Sequence, residues 1–476
     1  MNRKSPNRAG AAAGYRSLLA VASPIAGIQL AQVALTTTDL IMMGSLSISA
    51  IAAGGLAVTL YNQLRTMCVG VVTAVGNLVA GAVGRGEHRS GRPEPDAQTC
   101  AEVSAICRSS FLVATGVGML GALLLGALSW LLSRVGLAPA LVALCRPTIW
   151  TLAPGLIPML WVNVLRQFAV GMRRPGSLLG VTIASIAVNA ALDGGFAYGW
   201  FGLPVLGLPG IGLATTLVQT VNFGAFLLIL KRDPVIGPLL SLAGWRADPG
   251  TVRQILRLGM PISLTYGSEA GITSVATLIM GGFGPIALAA HNVVNQLAYI
   301  AYQINIGLSQ GSSILISRAI GMGNRREAGH VARRALMLCI VAMTLAGLIY
   351  LVFPHGVLRL FLERDPSPVV LGAASTLLLF GIVQQYCKGT QNIAVGLLRG
   401  LGNTRVGFRM TLIGYWLIGT PAMLFFGYVL HLGGPGVWLG LCAGFAATAL
   451  LLGWRFRVEL RACDQATPRR SEATTR

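Results

Sequence analysis

Charge is what this sequence has little of. Only 11% of its 476 residues are Asp, Glu, Lys or Arg, whereas a soluble domain carries about a quarter to keep its surface in water. That deficit excludes an ordinary globular protein. Acidic residues are the scarcer sign, 15 against 36 Lys and Arg, so any that falls inside an apolar run stands out. Motifs of soluble enzymes are missing too. There is no G-x-x-x-x-G-K-[ST] loop to cradle phosphates, and so no sign that the chain uses ATP itself. There is no H-E-x-x-H, and none of the five histidines has a metal-like neighbour spacing. His291, between Ala290 and Asn292, reads as a helix-entry or packing residue. The eight cysteines include no C-x-x-C pair, and only Cys145 falls near the outer face, which argues against structural disulfides and a zinc site. No catalytic set and no resident cofactor or metal is expected.

What is present is apolar length. Hydrophobic residues make up 54% of the chain and the mean hydropathy is +0.69. Runs of twenty or more apolar residues recur, each long enough to cross a bilayer as a helix. Barrel strands are about half that length and alternate apolar with polar. The expected fold is therefore an all-α polytopic membrane protein. Spans are placed near 18–43, 51–83, 109–133, 147–170, 177–201, 207–230, 258–283, 286–317, 335–354, 368–398, 410–430 and 435–454. The start, Met1-Asn2-Arg3-Lys4 before an apolar run, is like a signal peptide, but the run from Leu18 to Met43 is too long for one, so a retained first helix is expected.

A net charge of +21 invites a nucleic-acid reading, since basic clusters hold phosphate. The positions of the charges argue otherwise. Of the 36 Lys and Arg, 29 fall in the tails and in the second, fourth, sixth, eighth and tenth loops. Only Arg134, Arg146, Arg359 and Arg364 fall in loops on the other side, while Arg65, Arg166 and Lys388 lie inside spans. That split is the positive-inside pattern, and it places both termini in the cytoplasm.

Between Lys231 and Leu256 the apolar signal breaks, from Lys231-Arg232-Asp233-Pro234 through Trp245-Arg246-Ala247-Asp248-Pro249-Gly250. The break divides the chain into an amino-terminal lobe of six spans (1–230, with a cytoplasmic tail 1–16), a cytoplasmic linker (231–256) and a carboxy-terminal lobe of six (257–476, with a tail 456–476). The two lobes repeat one another. An offset of 237 residues brings Met43-Gly44 onto Met280-Gly281, Ala52-Ala53 onto Ala289-Ala290, and Gly84 and Gly86 onto Gly321 and Gly323. A shorter match pairs Ala169-Val170-Gly171 with Ala394-Val395-Gly396. Both copies run the same way across the membrane, so these are parallel repeats, for which a cargo site at the repeat interface is expected. Pro24, Pro154, Pro158 and Pro261 fall inside spans, where proline beyond the first turn removes a backbone hydrogen bond and bends the helix.

Three carboxylates, Asp39, Asp193 and Glu269, lie well inside apolar spans. A charge at the bilayer centre costs roughly 2.5–3.5 kcal/mol even on insertion scales, so such groups face a cavity or a partner. Polar stripes at helical spacing accompany them. Gln29, Gln32, Thr36 and Asp39 share one face of the first helix, and Asn189 and Asp193 are adjacent on the fifth. Asn292, Gln296, Tyr299, Gln303 and Gln310 recur along the eighth; Gln384, Lys388, Gln391 and Asn392 along the tenth. For the amides, interhelical hydrogen bonding and cavity lining stand as equal readings. A buried carboxylate can load and release a proton, or, with hydroxyl and amide oxygens beside it, hold a sodium ion. The sequence leaves that choice open.

Twelve spans in two parallel halves, the Leu288-Ala289-Ala290-His291-Asn292 run, the Pro261-to-Glu269 spacing and the Leu398-Arg399-Gly400 element together resemble the multidrug and toxic compound extrusion (MATE) family, NorM-type, over about residues 15–455. The resemblance implies two lobes around a cleft that opens alternately to either side, and export of organic cations or amphipathic compounds in exchange for sodium or protons. It implies a multi-pass protein of the bacterial inner membrane, a monomer among lipids with a small-molecule cargo. Asp39, Asn189, Asp193 and Thr215 match the family's ion-coupling site in the amino-terminal lobe, and Glu269 its acid in the other lobe. Lys388 departs from the pattern, standing where many members carry an aspartate. A two-carboxylate cation site is not expected there; instead Lys388 is expected to pair with Glu269, beside Gln384 and Gln391. Arg65, Gln296, Tyr299 and Gln303 are candidates for the cargo cleft. Arg65 pairs with Asp39, Asp193 or Glu269, or meets an anionic group of the cargo, whereas Arg166 is expected to snorkel to the cytoplasmic interface. The alternative reading is a lipid or lipid-linked oligosaccharide flippase of the same superfamily, which Arg65 and Lys388 favour by their affinity for phosphate. A major-facilitator transporter fits less well, because its basic loop motif is not evident in Gly84-Arg85-Gly86-Glu87-His88-Arg89.

Overall fold

The computed structural model describes residues 8–92, 94–134, 138–359, 361 and 368–465. The extreme ends of both tails, and Arg364, lie outside them. Among the described residues the regular structure is helical, without strands, and twelve long helices correspond to the twelve expected spans. They are α1 (Arg8–Leu46), α2 (Ile48–Ser90), α3 (Ala97–Leu131), α4 (Pro139–Gly171), α5 (Gly176–Tyr198) and α6 (Leu208–Arg232). After the linker come α7 (Pro249–Gly282), α8 (Pro285–Gly321), α9 (Arg325–Val352), α10 (Pro368–Gly400), α11 (Thr404–Val429) and α12 (Gly433–Gln465). Ten are long and apolar enough to cross a membrane by length and composition. The other two, α7 and α8, are 34 and 37 residues long, and they include the buried polar residues Glu269 on α7 and Gln303 and Gln310 on α8.

Several helices overrun the expected spans because capping, rather than hydropathy, ends them. Ser47 accepts a hydrogen bond from the Ala50 amide (2.9 Å) to start α2, and Asp96 accepts one from the Thr99 amide (2.8 Å) to start α3. Asn324 starts α9 in the same way, with the Glu327 amide at 3.2 Å. Gly91, at φ 64°, closes α2 in the left-handed region that glycine enters without strain. Inside α4 the chain tightens into a 3-10 turn at Ala153–Gly155 that contains Pro154, and Pro158 falls in the first turn after it. In α11 two π-helical stretches, Ile413–Gly419 and Phe425–Val429, flank a short α segment.

The chain packs as two compact units, Gly27–Gly267 and Met1–Ala26 with Ser268–Arg476. The first has a core around Phe168, Leu156 and Phe226. The second has two, one around Leu398 and Phe456 that includes Leu18 and Ala22 of α1, and one around Trp438 and Tyr415. The opening stretches of α1 and α7 are thus exchanged: each packs in the unit that holds the rest of the other. The repeat explains how. Gly70 of α2 lies against α7, where a Cβ would stand 2.5 Å from the Ser263 Cα. Its mate 237 residues on, Gly307 of α8, lies against α1, where a Cβ would stand 2.7 Å from the Ala22 oxygen and the Ala26 Cβ. Pro24 and Pro261 are also 237 residues apart, one in each exchanged stretch.

Candidate functional site

In the first unit, α1, α5 and α6 bring Asp39, Asn189, Asp193 and Thr215 together. All but Thr215 are buried, Asp193 completely. The Asn189 amide nitrogen donates to Asp39 Oδ1 at 2.6 Å and to Asp193 Oδ2 at 2.7 Å. Thr215 Oγ1 donates to the Ile211 carbonyl at 3.1 Å and stands 3.5 Å from Asp39 Oδ2. Accepting from one amide nitrogen sets the two carboxyl groups side by side, and Asp193 Oδ1 has no partner. No Lys, Arg or His forms an ion pair with either acid among the described residues. The helical spacing of Asn189 and Asp193 sets their side chains one above the other on α5, and the amide bridges from there to α1. Such a cluster can hold one compact cation, proton or metal ion, against two acids.

Further along the same unit stands a basic group. Arg166 of α4 does not reach an interface; it is 4% exposed. Its Nη1 donates to Gln29 Oε1 of α1 at 3.1 Å and its Nη2 to Asn163 Oδ1. The snorkelling expectation is corrected by these two amides, which offer the guanidinium acceptors inside the unit. Arg65 of α2 is half-buried and makes no ion pair with Asp39, Asp193 or any other acid among the described residues. Tyr61, one helical turn before it on α2, is buried.

In the second unit, Lys388 of α10 points its ammonium at Glu269 of α7, with Nζ 3.5 Å from Oε1. The same ammonium lies 4.3 Å from the centre of the Tyr302 ring and 5.5 Å from that of Phe445. The Asn392 amide donates to the Tyr302 hydroxyl at 2.7 Å and so fixes the ring. Gln384 and Gln391 are buried on the Lys388 face of α10, and Gln384 Oε1 and both polar atoms of the Gln391 amide have no hydrogen-bond partner. The α8 stripe is split: Gln303 is buried, Gln296 is half-buried and Tyr299 is exposed. His291 is a packing residue, its Nε2 3.2 Å from Thr277 Oγ1 and its ring edge-on to Trp438.

Sequence reasoning missed Tyr61, Asn163, Tyr302 and Phe445. Tyr61 is four residues before Arg65 and Asn163 three before Arg166, so helical spacing alone would have found both. Tyr302 lies beside the stripe that was followed, and nothing in the sequence ties Phe445 of α12 to Lys388.

The comparisons agree with this architecture. The MatE family model matches residues 261–424. A probable multidrug resistance protein NorM of Pseudomonas aeruginosa is 36% identical over 438 residues, covering 91% of this chain and 87% of that protein. A probable NorM of Rhizobium meliloti is 34% identical over 93% of both. Among solved structures, an outward-facing multidrug resistance MATE family transporter aligns with a TM-score of 0.83 at 18% identity, over 95% of this chain and 97% of that one. A eukaryotic MATE transporter aligns with a TM-score of 0.82 at 17% identity, over 96% and 99%. The twelve-helix fold is shared with both structures, and with NorM relatives matched along nearly its whole length this chain belongs to the MATE family of multidrug efflux transporters.

Proposed function

We propose that this chain is a secondary antiporter of the bacterial inner membrane that exports small cationic or amphipathic compounds, alternating access while a cation moves the other way through Asp39 and Asp193. The observation that carries the reading is the pair of buried acids bridged by Asn189 with no basic partner. Two unpaired negative charges at that depth are costly, so the pair is electrically complete only with a cation of its own. Two carboxyls gathered on one amide nitrogen, at 2.6 and 2.7 Å, suit a proton on one of them; a sodium ion takes oxygen ligands around itself and needs Asp39, Asp193 and Thr215 turned toward it. The coupling ion on this reading is a proton, and both termini are cytoplasmic.

Proteoliposomes loaded with a dye cation test it. Export is expected to follow an imposed pH gradient and not a sodium gradient. Asp39→Asn and Asp193→Asn keep the shape and remove the titrating group, and each should reduce gradient-driven export by at least about tenfold. Wild-type rates in both variants would sink the assignment, and a response to sodium alone would replace the proton by sodium.

A further inference from the structure

The acid pair of the first unit is flanked differently on its two sides along the helix axes. Toward the start of α1 and α5 the faces that carry the acids stay polar. Thr36 and Gln32 stand three and seven residues before Asp39, and Ser185 and Thr182 eight and eleven before Asp193. Toward the other end the same faces turn apolar. Met43 follows Asp39 by four residues, Ala197 follows Asp193 by four, and Ile211 on α6 precedes Thr215 by four. These three are 1%, 2% and 0% exposed. Met43 meets Leu208, at the start of α6, over Gly54 of α2, where a Cβ would stand 2.4 Å from the Met43 Sδ and 2.9 Å from the Leu208 Cδ1. A charge crossing such a layer loses its hydration and gains no partner.

A latch lies just beyond this layer. The hydroxyl of Tyr198, the last residue of α5, donates to the Met42 carbonyl of α1 at 3.1 Å and is hydrogen-bonded to the Ser45 hydroxyl. Trp200 stacks on Tyr198, with ring centres 5.8 Å apart and planes 30° from parallel. It also lies on Gly194, where a Cβ would meet its ring at 2.0 Å. Gly194 directly follows Asp193, so the loop after α5 is pressed back onto the helix beside the acid. Positive φ at Gly199, Phe201 and Gly202 folds it that way.

We propose that Tyr198, with Ser45 and the apolar layer of Met43, Ala197, Ile211 and Leu208, is the outer gate of the coupling-ion site. The proposal rests on the antiport reading, in which a proton reaches Asp39 and Asp193 from outside and leaves toward the cytoplasm. On the proposed topology the latched ends of α1 and α5 face outward. The acid pair is then closed to the outside by the layer and continuous with the polar faces leading inward. Tyr198 touches neither acid and is a positioning residue: its two hydrogen bonds hold α1 against α5 beyond the Asn189 bridge. Ser45 is exposed and Tyr198 half-buried, so water can compete for the latch while the layer beneath stays dry. Once the latch breaks, the helix ends part and water passes Met43 and Ala197 to the unpartnered Asp193 Oδ1.

Proton leak tests this. The full-length protein is reconstituted without cargo in liposomes that hold pyranine, with potassium and valinomycin clamping the potential, and internal acidification is followed after an external acid step. The wild type is expected to stay near the rate of empty liposomes. Tyr198→Phe keeps the ring on Trp200 and loses both hydrogen bonds. It should leak about fivefold or more faster, the opening gained by losing one hydrogen bond of ordinary strength. Ser45→Ala should leak less than Tyr198→Phe. Adding Asp193→Asn to Tyr198→Phe should abolish the leak, because the route runs through that acid. A Tyr198→Phe variant as tight as the wild type overturns the proposal. So does a leak that survives Asp193→Asn, the sign of a loosened bundle and not of an opened gate. Asp39→Asn, measured for export as above, tests the antiport reading by itself. Export lost in Asp39→Asn with no leak in Tyr198→Phe fails the gate alone.

Discussion

At the scale of single residues, Lys388 shows how one substitution redefines a site. The resemblance set Lys388 opposite Glu269, and the structure pairs them at 3.5 Å, with both side chains mostly buried. The carboxylate and two aromatic faces around the ammonium are the surroundings that bind an organic or inorganic cation elsewhere, and here the chain supplies the cation itself. Removing one member of a buried pair strands the other and costs about 3–5 kcal/mol. Lys388→Ala should therefore destabilise the protein more than the double variant Glu269→Gln with Lys388→Gln, in thermal unfolding followed by tryptophan fluorescence in detergent. Additive effects, with coupling under about 0.5 kcal/mol, would show that the pair is not an energetic unit. The acid partner was legible because only three carboxylates fall inside spans. Tyr302 and Phe445 were not, since an aromatic residue on an apolar helix carries no mark of the neighbour it will face. Arg166 was misread for a related reason: hydropathy places a charge along the helix axis but not around it, and Gln29 on another helix turns it inward.

At the scale of helices, existence was plain and ends were not. Apolar windows follow the membrane, whereas α2, α3 and α9 stop and start at Gly91, Asp96 and Asn324. Asp96 gives a measurable case outside the membrane. Hydrogen bonds from the Thr99 hydroxyl and amide, with Arg89 alongside, hold its carboxyl down to about 2. Because the folded value is depressed, its stabilisation is complete above the ordinary value of 3.8 and is lost as pH falls toward 2. Asp96→Ala should lower the Tm at pH 7, and the gap to wild type should persist to about pH 4 and close below it. A gap that does not narrow in acid would mean the carboxylate charge is not what the cap uses. The exchanged helices give a second case. Gly70 and Gly307 meet backbone of the facing helix, which cannot yield as a side-chain tip does. Overpacking of this kind costs about 1–3 kcal/mol, so Gly70→Ala and Gly307→Ala should each lower the Tm, whereas Gly55→Ala in α2, with open space around it, should not.

At the scale of the whole molecule, the sequence repeat was legible, but the exchange within it was not. Matching residues 237 apart shows that two stretches are alike, not which unit each packs into, and only the Gly70 and Gly307 contacts reveal that α1 and α7 change over. The repeat does constrain topology. Six helices in each half return the chain to the side on which it began, so the amino-terminal tail, the 231–256 linker and the carboxy-terminal tail must share one side. On the proposed topology that side is the cytoplasm, the side favoured by the division of loop charge, 29 Lys and Arg against 4. Asp233 in the linker accepts from Arg174 at 2.9 Å, tying the fourth loop to the linker, so one label reports on both. With the eight native cysteines replaced by serine or alanine, a single cysteine at Ser241 should resist a membrane-impermeant maleimide in intact cells and react after permeabilisation. A cysteine at Ser133, beside Arg134 in the loop after α3, should react in intact cells. Labelling of Ser241→Cys with Ser133→Cys protected would invert the map, and labelling of both from outside would mean that the first half does not hold six spans.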